Sequence, residues 1–186
     1  MQKDRSCLVE WVKLKHGHQK IKSSSDPYFF HLLAVAKMVA HISPFSYEIG
    51  LCYDLLEDTD VELQEFQRVL SSCGYSDSEV EHIKNCVVEL TDEYTKLRYP
   101  QLTKKQRKKK EAKRLIGMSC DSQTIKYADL IYNAGWMMEY DRKHAKKYLL
   151  KKRMLVLMLD RGDQQLQRQA LMFMDKCLLS FSFSSD

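Results

Sequence analysis

The sequence predicts an all-α protein, a multi-helix bundle, and three observations carry that prediction. Apolar residues recur at helical spacing almost throughout, and no alternating run of any length reads as a strand. Only 6 Gly and 3 Pro occur in 186 residues, too few for a turn-rich sandwich or barrel. Hydrophobic residues make up 44% of the chain, enough to build a core without disulfide staples.

Each element follows from a local signal. From residue 4 to about residue 15, Leu8, Val9, Trp11, Val12 and Leu14 form a helical stripe. The run HGHQKIKSSSD interrupts it, since Gly17 is a poor helix residue and three serines favour a loop. Asp26-Pro27 is expected to open the second helix, Asp as cap and Pro at the first position. That helix carries YFFHLLAVAKMVA, apolar nearly all round, and should be central. Ser43-Pro44 starts a third helix that runs on through IGLCYDLLED, and Asp60 can cap a fourth, VELQEFQRVL, which stops at Gly74. Ser76 with Glu79, and Thr103 with Gln106, are capping boxes for SEVEHIKNCVVEL and KKQRKKKEAKRL. Three further helices are expected over residues 122–140, 143–159 and 163–181. No internal repeat is visible, so residues 1–182 read as a single domain and 183–186 as a frayed tail.

Composition narrows the function classes. No run approaches 18 apolar residues, so no membrane-spanning helix is expected. The N-terminus MQKDRSC has no signal-peptide core. Six cysteines are scattered without a CxxC pair; they read as reduced, packed thiols of a cytoplasmic protein, not as a zinc finger. Net charge +5 permits an anionic ligand without specifying it.

Two polar groups stand out on otherwise apolar helices. Asp54, Glu57 and Asp58 are spaced by three and four, so their carboxylates share one face and repel one another. A cation should offset that repulsion; the plainer alternative is a solvated acidic helix end. Lys126, Asp129 and Asn133 form a second line at helical spacing, either a satisfied polar network or part of a site. His31 lies in an apolar helix and reads as a hydrogen-bonded core histidine, whereas His41, His82 and His144 fall in polar stretches and carry no assignment. Eight Lys or Arg against one Glu between residues 104 and 114 make a broad positive surface. Arg107 and Arg114, seven apart, share a face that could hold an anion. A nucleic-acid reading lacks the basic-aromatic interleaving that RNA recognition needs. The second basic cluster, residues 142–153, reads as surface.

Taken in order, KHGHQKI, DPYFFHLLAVA, LCYDLLEDTD, VVELTDEYTK and TIKYADLIYN resemble the HD-superfamily metal-dependent phosphohydrolases. The nearest branch is that of the Rel/Spo guanosine polyphosphate hydrolases, and the resemblance runs from about residue 8 to residue 140. It implies an HD-type helical bundle and one divalent metal, usually manganese, held by His16, Asp54 and Asp129. It further implies that Glu57 and Asp58 position or activate the attacking water, and that Asn133 belongs to the same pocket. Lys20, Lys96, Arg107 and Arg114 would then meet the phosphates of a nucleotide, with the 3′-pyrophosphate of guanosine tetra- or pentaphosphate as the implied leaving group. The chain departs from the family at Tyr53, where the histidine of the His-Asp pair is expected. A neutral phenol is a poor ligand. Tyr53 could ligate as a phenolate, hydrogen-bond a water, or fill the vacated space. The departure also leaves open a descendant that binds a nucleotide or a protein partner without turnover.

Overall fold

The computed structural model describes residues 3–182. Among them the chain forms ten helices, and the only β-type pairing is an isolated antiparallel bridge between Lys20 and Pro27. Helix α1 (Arg5–His16) is capped by the Asp4 carboxylate, which accepts from the Cys7 N–H, and it ends at Gly17, whose φ of 47° suits a residue without Cβ. The second helix starts later than the Asp26-Pro27 signal suggests. Ile21 and Tyr28 donate to the carbonyls of Asp26 and Gln19, closing residues 19–28 into a loop, and α2 (Phe29–Val39) begins after it. As expected from its composition, α2 is central, with Leu32, Val35, Ala36 and Val39 fully buried.

The expected single third helix is two. After α3 (Ser46–Cys52) the chain turns at Tyr53-Asp54, and α4 (Leu55–Asp58) is one short turn. Gly50 lets α3 lie against α2, because a Cβ there would stand 3.1 Å from both Ala36 Cα and Val39 Cγ2. Helix α5 (Leu63–Ser72) begins after Glu62 in extended backbone, not after Asp60. The Thr59 hydroxyl takes the local capping role, donating to Leu55 O and accepting from Val61 N–H. Both capping boxes form, at the starts of α6 (Asp77–Leu90) and α7 (Lys104–Ile116). Helix α8 (Cys120–Tyr140) is capped by Ser119, α9 (Arg142–Met158) follows directly, and α10 (Gln164–Leu179) is capped by Asp163.

The long helix α8 is the spine. It packs against α2, α3 and α6 on one side and against α9 and α10 on the other. A continuous core runs through Leu8, Leu32, Ile49, Leu55, Phe66, Ile83 and Leu130 to Leu149 and Ala170. The α9–α10 turn docks on α8 through the Tyr127 hydroxyl, which donates to Leu159 O, and through Gly162, packed against Tyr127 and the Thr124 backbone. None of these helices is long and apolar enough to cross a membrane.

The expectation of six reduced thiols fails at one pair. Cys7 and Cys73 form a disulfide across 66 residues, between the first turn of α1 and the end of α5. Cys52, Cys86, Cys120 and Cys177 are free. Nothing in the sequence spacing marks the pair; the fold brings these ends together, and the backbone bond from Asp4 N to Cys73 O, 2.9 Å, shows how closely they run. The bond removes the ground on which a cytoplasmic location was expected. The tail at 183–186 lies outside the described residues.

Candidate metal and phosphate site

Four pieces of chain converge where α1 ends. His16 is the last residue of α1; Tyr28 and His31 come from the start of α2; the break between α3 and α4 supplies Tyr53 and Asp54; the middle of α8 supplies Lys126, Asp129 and Asn133. The break matters because an unbroken helix could not turn both Tyr53 and Asp54 toward α8.

Asp129 is the centre. It is 5% exposed, and its Oδ2 lies 2.9 Å from Lys126 Nζ. Its Oδ1 accepts from Tyr53 Oη at 3.2 Å and from Asn133 Nδ2 at 2.5 Å. Burial pushes this carboxyl up, but the Lys126 charge and His31 outweigh it and hold the group well below the usual carboxylate range. Lys126 is held in the ammonium form: burial opposes its charge, and Asp129 and Asp54 more than restore it.

Tyr53 packs between His31 and Asp129. It is 2% exposed, and burial, with Asp129 and Asp54 nearby, pushes its hydroxyl far up. It therefore remains a phenol. Its single proton goes to Asp129 Oδ1, so its oxygen accepts from His31 Nε2–H. The His31 expectation is met, since this histidine is buried and hydrogen-bonded in the core.

Asp54 is the undercompensated acid. Tyr28 Oη donates to its Oδ2 at 2.5 Å. Burial and the Asp129 charge raise it to about 7, against the opposing effects of Tyr28 and Lys126. Glu57 and Asp58 stand open to solvent at the mouth. Desolvation and the Asp92 carboxylate push Glu57 up, although its Oε2 accepts from Asp92 N–H at 3.1 Å.

His16 is poised as a ligand. The side-chain amide of Gln19 donates to Asp58 O, which turns its Oε1 toward His16 Nδ1 at 2.9 Å. Nδ1 therefore carries the proton and Nε2 presents a lone pair. Burial keeps the ring neutral by lowering its pKa, and Nε2 is buried without a hydrogen-bond partner. A buried acceptor left bare normally has an explanation, and a ring fixed through its other nitrogen is how proteins present histidine to a metal. The donor set fits a divalent cation in its chemistry: one bare imidazole nitrogen, and one carboxyl whose charge its surroundings do not fully offset. Its geometry is open, because the donor atoms of His16, Asp54 and Asp129 do not all lie within 4.8 Å of one another.

The basic candidates divide. Lys20 and Lys96 are exposed. Arg107 instead donates to Leu102 O, and Arg114 holds Glu89 O at 2.7 Å, Thr91 O at 3.1 Å and Glu111 Oε1 at 2.5 Å. These two arginines shape the segment between α6 and α7. Sequence reading missed Lys152, placed with the surface cluster of residues 142–153. From α9 it faces Asp129 and Asp92, lies 5.7 Å from the Tyr148 ring centroid, and has its pKa lowered by burial and by Lys126. It also missed Tyr28, which stands between His16 and His31 with ring centroids at 5.5 and 5.3 Å. The one available signal for Tyr28 was its place in DPYFFH; Lys152, among many lysines, had none.

The helix order and packing define the class of fold first: an all-α multi-helix bundle. A solved structure shares it across nearly the whole length. That structure belongs to a metazoan ortholog of SpoT that hydrolyses ppGpp; it superposes with a TM-score of 0.72 at 19% sequence identity, over 97% of this chain and 98% of that one. No protein-family profile and no curated protein matches the sequence.

Proposed function

We propose that this chain is a metal-dependent phosphohydrolase acting on a nucleotide, with the 3′-pyrophosphate of guanosine 3′,5′-bis(diphosphate) as the first bond to test. The observation that carries the reading is the bare, buried Nε2 of His16, which the ring contacts His16–Tyr28 and Tyr28–His31 and the Tyr28–Asp54 hydrogen bond link to Asp54 and Asp129. The likeness of fold to a protein that hydrolyses ppGpp supports the substrate class.

His16, Asp54 and Asp129 would hold the ion; one nitrogen and two carboxylates suit manganese or magnesium. A divalent ion there supplies Lewis-acid charge to a phosphoryl oxygen. Lys126 keeps Asp129 ionised and oriented. Glu57, pushed above its ordinary value by burial and the Asp92 carboxylate, can take the proton of the attacking water, and the neighbouring Asp58 can orient that water. Lys20, Lys96 and Lys152 offset phosphate charge, Asn133 fixes Asp129 from below, and Arg107 and Arg114 act by shaping the wall.

One observation favours a second reading, nucleotide binding without turnover. Both oxygens of Asp129 are already engaged, by Lys126 on one side and by Tyr53 and Asn133 on the other. Incubation of the metal-stripped protein with guanosine 3′,5′-bis(diphosphate) and Mn2+, with chromatography of the products, separates the two. Turnover that disappears in Asp129→Asn supports hydrolysis. Nucleotide binding with no product, and turnover gained in Tyr53→His, supports the silent reading. Equal turnover in wild type and Asp129→Asn sinks the assignment of the site.

A further inference from the structure

Away from this cleft, α6 and α8 bring three metal-ligand side chains together. His82 and Cys86 are four residues apart on α6 and so share one face, and Asp121 lies in the first turn of α8. One donor atom from each lies within 4.8 Å of the other two, the group among the described residues that meets this condition. His82 Nε2 is 3.1 Å from Asp121 Oδ2. Donors around a tetrahedral zinc ion stand roughly 3.3–3.7 Å apart, so small side-chain rotations complete the set.

The surroundings are built for such an ion. Ser43 Oγ donates to Asp121 Oδ1 at 2.7 Å, which fixes the carboxylate and leaves Oδ2 facing His82. The Cys86 thiol is buried, lies 3.8 Å from Ser119 Oγ and is also hydrogen-bonded by the Ser122 side chain. The His82 side chain is 42% exposed, so the cluster opens to solvent on one side. An ion pair accounts for His82 and Asp121 but not for a thiol turned to the same point.

We infer that His82, Cys86 and Asp121 form a second, independent metal site that takes zinc, with three protein ligands and a fourth position open to water. Thiolate and imidazole donors select zinc over the manganese or magnesium that an oxygen-rich set takes. Binding replaces the thiol proton, which leaves to solvent, by a zinc–sulfur bond. The ion staples α6 to the start of α8, the two helices that lead to Asp92 and carry Asp129. The sequence shows no CxxC pair, because the third ligand comes from a different helix.

The full chain, metal-stripped with its Cys7–Cys73 disulfide intact, is titrated with Co2+. A thiolate-to-cobalt charge-transfer band, displaced by stoichiometric Zn2+, is expected; the His16–Asp54–Asp129 cluster contains no cysteine and cannot produce it. Cys86→Ser should abolish the band, and Cys120→Ser, next to Asp121, should leave it. His82→Ala, at an accessible position, should weaken Zn2+ binding at least about tenfold. No band in the wild type, a band that survives Cys86→Ser, or unchanged affinity in His82→Ala overturns the site.

Discussion

Replacing Cys7 and Cys73 together by serine should remove a large part of the stability of this protein. The two cysteines are 66 residues apart, so their bond closes most of the first third of the chain into one loop. A crosslink over a loop of that length restricts the unfolded chain by about 4 kcal/mol on the chain-entropy relation. For a chain of this size that corresponds to a fall in Tm of roughly 8–16 °C. The effect should reach the site as well, because α1 carries His16 at its far end. The assay is urea unfolding without reductant, wild type against the double variant, with the wild type plus reductant as a third sample. The double variant and the reduced wild type should share one lowered midpoint. Thiol titration of unreduced, denatured wild type should count the four free cysteines. Six reactive thiols, or coincident midpoints for oxidised wild type and the double variant, would refute the reasoning.

Other consequences are equally direct. A Cβ at Gly162 would stand 2.6 Å from Tyr127 Cε2 and 2.9 Å from Thr124 N; Gly162→Ala should cost at least about 2 kcal/mol in chemical unfolding, because the backbone on one side cannot yield. Lys126→Met removes the ammonium 2.9 Å from the buried Asp129 carboxylate and should destabilise by at least about 3 kcal/mol; a loss under a third of that would mean Lys126 is not the partner on which Asp129 depends. Burial and the Asp129 charge raise Asp54 to about 7 in the folded protein, so between the ordinary carboxylate range and that pH the native state binds the extra proton. Its contribution to stability therefore falls as pH rises through that window, and Mn2+ affinity rises over the same window as the proton leaves. In Asp129→Asn, carboxyl NMR should find Asp54 titrating lower, since a neighbouring negative charge is gone; an unmoved titration would show that Asp129 is not among its causes.

The site is an arrangement of charges as much as of ligands. Asp54 feels Asp129 and Asp58, and Glu57 feels Asp92 and Asp58, with Lys126 acting on both pairs and Lys152 and Arg114 on Asp92. Lys126 satisfies Asp129 and reaches Asp54 only through space. The remaining negative charge explains why one carboxyl stays ionised while its neighbour sits near neutrality.

The all-α character and most helices were legible in the sequence. Capping boxes at Ser76 and Thr103 act through residues three apart, and the apolar stripe of α2 reports its burial through local periodicity, so both are legible in one dimension. The spacing of Lys126, Asp129 and Asn133 likewise marked a polar line on α8, whereas Asp54 does not share a face with Glu57 and Asp58: it precedes α4 and turns inward to Tyr28 while they stay exposed. Where tertiary contacts outweigh local signals, reading failed. Asp26-Pro27 is a good helix start, yet the pairing of Lys20 with Pro27 takes that segment into a loop. Nothing local announces the break at Tyr53-Asp54, which lets Tyr53 reach Asp129 on α8 and Asp54 reach Tyr28. Packing between helices settles that Tyr53 stays a phenol on Asp129, that Arg107 and Arg114 hold backbone carbonyls, and that Lys152 turns inward. It also decided that Cys7 meets Cys73 and that Cys86 meets His82 and Asp121. Each of these depends on distances between segments far apart in the chain, and residue spacing along one helix cannot encode them.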